Sequence, residues 1–260
     1  RLPALPVIQP GWRLVSGLIF LSMMVAMIML LTAPIFKVEA FTLEGISRIS
    51  QVDIEAALRL TGRSIFEIDP QKISFTLQAA FPELTALNVF VGFPKTVAIT
   101  ATERAPLVAW LVDDAVLWID AEGVIMPARG DTPDLLTVQS NIQPPSTVYA
   151  IDGLDLQQGF YTIQLNPANG IKKMEPQVLQ AILTLGARMP AHTVLIFNEM
   201  RGLGWKDTRG HDVYLGFSLD NVDQKIVMVE SIESQLDKQG IRPAMISVEF
   251  LHQPYYRTEQ

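Results

Sequence analysis

At 260 residues, with 27 acidic against 20 basic side chains, the chain has room for one to two domains and a formal net charge of −7. It has no cysteine, which excludes a disulfide framework and thiolate chemistry. Three of the 20 basic residues (Arg1, Arg13, Lys37) stand at or before Lys37, leaving 17 against 27 acids, and a body at −10 suits neither nucleic acid nor an anionic membrane surface.

The chain starts at Arg1 without a methionine, so a stretch upstream is expected to be missing. Residues 1–13 then read as a short cytoplasmic segment. Leu14–Phe36, "LVSGLIFLSMMVAMIMLLTAPIF", holds 23 residues without a charge. A helix of that length reaches roughly 34 Å, enough to cross a hydrocarbon core with some tilt. Trp12 stands at the entry, where an indole favours the headgroup zone, and Pro34 near the exit, where a helix can stop. A cleaved signal peptide is the competing reading. It wants a shorter apolar core and a small-x-small site, and "LTAPIFKVEAF" puts proline beside the candidate position. Arg1 and Arg13 precede the span without acids, while Glu39 follows Lys37 closely, which points the N-terminus inward and the body outward.

"KVEAFTLEG" reads as a strand closed by Gly45. Ser50 with Asp53 three residues on is a capping-box arrangement opening a helix through Ile54, Ala57 and Leu58, with Gly62 as its stop. Asp69 caps and Pro70 opens a second helix, with Ile73, Leu77 and Phe81 on one side. "TALNVFV" and "TVAITATER" are strands joined by "GFPK". Residues 37–104 are thus expected to form a strand-helix-helix-strand-strand unit.

Beyond Pro106 come short strands, "LVAWLV", "AVLWID" and "VIMPA", with Asp113-Asp114 and Glu122-Gly123 at turns. Asp131–Tyr149, with three prolines, reads as a surface loop. A helix over Gln177–Met189 packs Val178, Leu179, Ile182, Leu183 and Leu185, and three strands follow in "TVLIFN", "GLGWKDT" and "DVYLGF". A second helix carries Val222, Ile226, Val229, Ile232 and Leu236 at spacings of three and four, capped by Asn221 or Asp220 and stopped by Gly240. The chain then reaches "ISVEFLHQPYYR", Ile246–Arg257. There Ile246, Val248 and Phe250 alternate with Ser247 and Glu249 as one half-buried strand.

No catalytic, cofactor or metal residues stand out. His192, His211 and His252 do not share a helix face with a second ligand. The glycines of "GLG" at Gly202–Gly204 lack the third glycine and the helix of a dinucleotide site. Asp113-Asp114 reads as a solvated turn rather than an acid–base pair, and Trp110 and Trp118 as core. No nucleophile or phosphate-loop motif is present, so the expectation is a non-enzyme with no small-molecule substrate.

Several stretches together resemble the FtsQ/DivIB family of bacterial cell-division proteins: "FTLEGISRISQVDIEAALRLTGRSIFEID", "FPKTVAITATERAPLVAW", "WIDAEGVI", then "GHDVYLG", "QKI" and "ISVEFLHQPYYR". The resemblance implies an α+β protein: a transmembrane helix (14–36), a POTRA-type βααββ domain (37–104) and a β-rich C-terminal domain with two helices (105–260). It implies a divisome scaffold in the inner membrane at the septum. Its partners would be of the FtsB/FtsL (DivIC/FtsL) type, taken up by strand addition near the C-terminus. Val248, Phe250, His252, Tyr255 and Tyr256 are the candidate partner-binding residues, with Pro254 interrupting backbone pairing. The plainer alternative is that Val248 and Phe250 only pack the core and the tail is solvated. Other functions are also conceivable for this layout. An outer-membrane translocation factor bearing a POTRA domain would need a longer run of barrel strands. A membrane-anchored sensor would need an output domain.

Overall fold

The computed structural model describes residues 11–130, 134–149, 151, 170–190 and 193–258. Helix α1, Trp12–Thr32, buries none of its side chains against the rest of the protein, and it is long and apolar enough to cross a membrane. It ends earlier than the apolar run does. Ala33 turns extended, and Pro34–Phe36 forms a single 3-10 turn, because the proline ring excludes the helical geometry of the residue before it.

The chain then builds β1 (Phe41–Glu44), α2 (Gln51–Leu58), α3 (Pro70–Ala80), β2 (Leu84–Gly92) and β3 (Thr96–Glu103). The sheet order is β1-β3-β2. β1 runs parallel to β3 from Phe41 opposite Val97 to Glu44 opposite Thr100, and β2 is antiparallel to β3. A parallel neighbour needs a long crossover, which the helices supply. They cover one face with Ile54, Leu58, Ile73, Leu77 and Phe81 over Phe41, Val97 and Ile99. The expected caps are in place: Ser50 Oγ accepts from the Asp53 amide at 3.1 Å, and Asp69 Oδ1 from the Gln71 amide at 3.0 Å. α2 stops before Gly62, with Arg59 taking the left-handed turn (φ 51°). Gly45 closes β1 at φ 79°. A Cβ there would sit 2.1 Å from the Ala101 carbonyl oxygen, so this position requires glycine.

Among the described residues, the second unit is a nine-stranded mixed sheet carrying two helices. Its strands in chain order are β4 (Pro106–Val112), β5 (Ala115–Asp120), β6 (Ile125–Pro127), β7 (Leu136–Ser140), β10 (Leu195–Asn198), β11 (Gly202–Lys206), β12 (Asp212–Gly216), β13 (Met245–Ser247) and β14 (Tyr255–Arg257). Side by side they stand β14-β13-β12-β11-β10-β7-β4-β5-β6. A separate ribbon pairs β8 (Ser146–Tyr149) with β9 (Ile171–Met174). Helices α4 (Pro176–Arg188) and α5 (Val222–Gln239) pack on the face that carries Val108, Trp110, Val138, Leu195, Phe197, Leu215 and Ile246. Trp118 is buried on the opposite face with Ala109 and Met126. The mixture of helix and sheet is the α+β class expected.

Three expectations fail. Residues 134–149 of the expected loop are largely strand: β7 lies in the middle of the large sheet, parallel to both β4 and β10, with Val138 fully buried, and Ser146–Tyr149 is strand β8. "LTVQS" is too short to show a period, and a central strand is specified by its neighbours, not by its own alternation. Asn221 does not cap α5 with its side chain but sits left-handed at φ 56°. And Ile246–Arg257 is not one strand. It folds back on itself.

Candidate partner-binding edge

After Ser247 the chain leaves β13, turns through Glu249–Gln253, and returns as β14, which pairs antiparallel with β13: Met245 opposite Arg257, Ile246 opposite Tyr256, Ser247 opposite Tyr255. Val248 follows the core side of β13 and is fully buried, its amide donating to the Tyr214 carbonyl at 2.9 Å. Phe250, expected on the same side, is in the turn and 53% exposed. The physical reason is Pro254. It is placed where the chain re-enters the sheet, at the start of the return strand, a position where a missing N–H costs no ladder bond.

The candidate residues therefore divide. Val248 belongs to the core. Phe250 and His252 stack in the turn at 6.0 Å between ring centres. Tyr255 and Tyr256 are both about half-exposed on β14. Among the described residues no strand lies beyond β14, so its outer backbone groups are open. Sequence alternation alone placed the aromatics on one continuous strand; the fold collects them on a hairpin at the rim.

Two features position this hairpin. Gly216 ends β12 at φ 87°, and a Cβ there would meet Glu249 Cγ at 2.4 Å, so the glycine lets the turn close onto β12. Lys225 on α5, almost wholly buried, donates to the carbonyls of Leu215 at 2.8 Å and Ser218 at 2.5 Å, tying the helix to the exit of β12. Burial pushes its pKa below the usual lysine value, against the opposing pull of Glu249 and Asp220. The lysine of "QKI" is thus a tether. Its burial in a helix stripe otherwise marked by Val222, Ile226 and Val229 was not visible from spacing.

The histidines fall apart as a group. His192 lies outside the described residues. His211 is buried, its Nε2 2.9 Å from Glu233 Oε1 and its Nδ1 4.0 Å from Asp207. Spacing could not reveal this, because Glu233 comes from α5 while His211 and Asp207 flank the β11–β12 turn. Three such ligand atoms lie close enough to share a cation. Arg209 already bridges them, contacting Asp207 at 3.1 Å, Asp237 at 3.0 Å and Glu233 by a close ion pair. A cation would have to displace that guanidinium, and the arrangement reads as a turn clamped to a helix.

A second polar constellation joins the two units. Only Arg104 and Ala105 separate β3 from β4. Glu103 reaches back: its carboxylate accepts from the amides of Ser47 (2.9 Å) and Arg48 (2.6 Å) and from Arg48 Nε (2.9 Å). Arg104 reaches forward to Asp120 at 2.7 Å and Glu122 at 3.0 Å. Asp120 in turn accepts from the amides of Glu122 and Val124, which shapes the β5–β6 turn. Arg48 also lies over the Trp118 ring at 5.5 Å and donates to the Arg104 carbonyl at 2.7 Å. Arg129 Nε approaches Glu83 at 2.8 Å, out of line for a hydrogen bond. Burial would raise the Glu103 pKa, but the Arg48 and Ser47 donors outweigh it and hold it at about 2. At Glu83 burial wins over Arg129 and the pKa is raised.

An exposed apolar helix, a small βααββ unit and a strand-rich unit joined by two residues define a POTRA-bearing protein with an apolar N-terminal helix. Comparison with known families agrees: the POTRA domain of FtsQ type matches residues 36–104. The chain is 27% identical over 152 residues to the cell division protein FtsQ of Chloroflexus aurantiacus, covering 53% of this chain and 55% of that protein. It is 28% identical over 150 residues to FtsQ of Chloroflexus aggregans, covering 52% and 54%. Residues 36–104 are thus a POTRA domain of FtsQ type, the similarity to the two FtsQ proteins supports the FtsQ/DivIB family, and the chain spans about half the length of the curated relatives it matches.

Proposed function

We propose that this chain is a non-enzymatic scaffold of the cell-division machinery. It is held in the inner membrane by α1, with residues 1–13 in the cytoplasm and the POTRA (37–104) and strand-rich (105–260) domains outside it. It takes up a FtsB/FtsL (DivIC/FtsL) type partner by adding a partner strand to β14 at the septum. The observation that carries this reading is the open edge of β14 with Tyr255 and Tyr256 half-exposed on it and Phe250 and His252 in the adjoining turn. An unpaired edge offers main-chain bonds, and aromatic side chains on it offer contact area at small entropic cost. Its position at the rim leaves the remaining eight strands undisturbed by such an addition.

The test is amide hydrogen exchange on the detergent-solubilised full chain with and without the partner's soluble segment. Strand addition slows exchange at Tyr255–Arg257 by at least tenfold, and Tyr255→Ala with Tyr256→Ala weakens capture. Binding with unchanged exchange across β14 would sink the strand-addition reading. A fluorescent fusion forming a ring at mid-cell is the cellular counterpart; uniform rim signal in dividing cells would argue against a septal role.

A further inference from the structure

The first unit carries an apolar patch that the docking function leaves unused. Phe36, in the 3-10 turn after α1, stacks on Phe66 with ring centres 5.1 Å apart, and Phe66 stacks on Phe93 at 5.6 Å. Ile35, Phe66 and Phe93 are 59%, 46% and 70% exposed. The topology places all of them at one end. β1 leads away from α1 and is parallel to β3, so the start of β3 lies level with the start of β1. The β2–β3 turn that carries Phe93 immediately precedes β3. The contact of Lys95 with Glu39, 2.7 Å, confirms that this turn lies beside the segment emerging from α1.

Phe36 stands four residues beyond Thr32, the last residue of α1, and that stretch reaches at most about 14 Å. The aromatic row is therefore held close to where α1 leaves the bilayer. Its charge also differs from that of the body. The chain segments that carry it, residues 35–39, 63–67 and 93–95, hold Lys37, Arg63 and Lys95 against Glu39 and Glu67, an excess of one positive charge on a domain pair that is acidic overall. Lys37 and Arg63 are brought together by the Lys37–Ser64 bridge and by the Val38 amide on the Arg63 carbonyl at 3.0 Å.

We propose that this end of the POTRA unit rests on the same lipid surface that α1 crosses. Phe66 and Phe93 enter the headgroup region, and Lys37 and Arg63 lie at the phosphate level. Apolar aromatic side chains flanked by basic ones favour that zone, the rings towards the acyl boundary and the cations towards the phosphates. The contact fixes the tilt of the POTRA unit and, through the two-residue junction, the height of β14 above the membrane. The inference rests on reading α1 as a membrane span.

The chain has no cysteine, so each introduced one is a single labelling site. Phe66→Cys, Phe93→Cys, Met200→Cys and Met27→Cys are spin-labelled separately in the full chain. The chains are reconstituted into phosphatidylethanolamine–phosphatidylglycerol vesicles, and collisions with oxygen and with a nickel chelate are compared. Met200 is 87% exposed in the β10–β11 turn and reports water; Met27 reports the span. The expected result is an oxygen-to-nickel ratio at positions 66 and 93 several-fold above that at 200. Phe93→Asp should return the label at 66 towards the value at 200. If 27 reads lipid while 66 and 93 match 200, the surface contact is overturned and the span stands. If 27 reads water, the span reading itself fails and takes the contact with it.

Discussion

The junction between the two units and the C-terminal hairpin use polar groups in opposite ways. At the junction Glu103 and Arg104 are nearly enclosed, with side chains 9% and 12% exposed, and their charges meet counter-charges or amides. At the hairpin the three-residue strand β14 carries two half-exposed tyrosines and an open backbone edge. The junction spends its hydrogen-bonding capacity internally and sets a posture. The hairpin leaves its outer backbone groups without a strand partner among the described residues, as the proposed strand addition requires. A joint closed by hydrogen bonds behind an unfinished edge suits the proposed docking role, because an edge that wandered would lose the entropy advantage of being presented ready-made.

The largest effect that would break this contrast is at Glu103. Glu103→Ala leaves Arg48 and two amides without their acceptor, and unfolding in urea should show a loss of about 3 kcal/mol. A loss below about 1 kcal/mol would mean that the joint is not held by this carboxylate.

The pH dependence sharpens the contrast within the joint itself. The folded pKa of Glu103, about 2, is depressed, so its contribution is complete above the unfolded value near 4.5 and disappears as pH falls towards 2. That is a loss of up to about 3 kcal/mol, and Glu103→Gln should flatten this acid limb. Glu83 has the opposite sign. Its raised pKa means the folded state holds a proton that the unfolded state has released, so stability declines as pH rises from about 4.5 towards the folded value. Glu83→Gln should remove that decline, measured as melting temperature between pH 4 and 8.

At the hairpin the expected signature is reversed. Tyr255→Ala and Tyr256→Ala should together lower partner affinity by about 2 kcal/mol, read by titration calorimetry, while the melting temperature moves by no more than about a degree. A fall in melting temperature matching the loss of affinity would make these tyrosines packing residues. The smallest effect is local to the POTRA unit. Ser50→Ala removes the α2 cap and should cost about 1 kcal/mol, leaving partner affinity unchanged.

Much of the first unit was legible because its signals are local. Ser50 and Asp69 cap within three residues, Pro70 opens a helix where its N–H is not needed, and Gly45 closes a strand. Resemblance marked "E-R-x-P" at Glu103–Pro106 without explaining it. The structure does: the two charges point to opposite units.

The same distinction decides the whole chain. Periodicity, caps and an uncharged stretch of helix length determined the apolar helix, the βααββ order and the helices of the second unit, since each depends on contacts a few residues apart. The placement of Val138 in mid-sheet, the burial of Lys225, the pairing of His211 with Glu233 and the folding-back of Ile246–Arg257 into a hairpin depend on neighbours distant in sequence. A strand three to five residues long carries too few side chains to declare its own face or register, and only the sheet it joins supplies them.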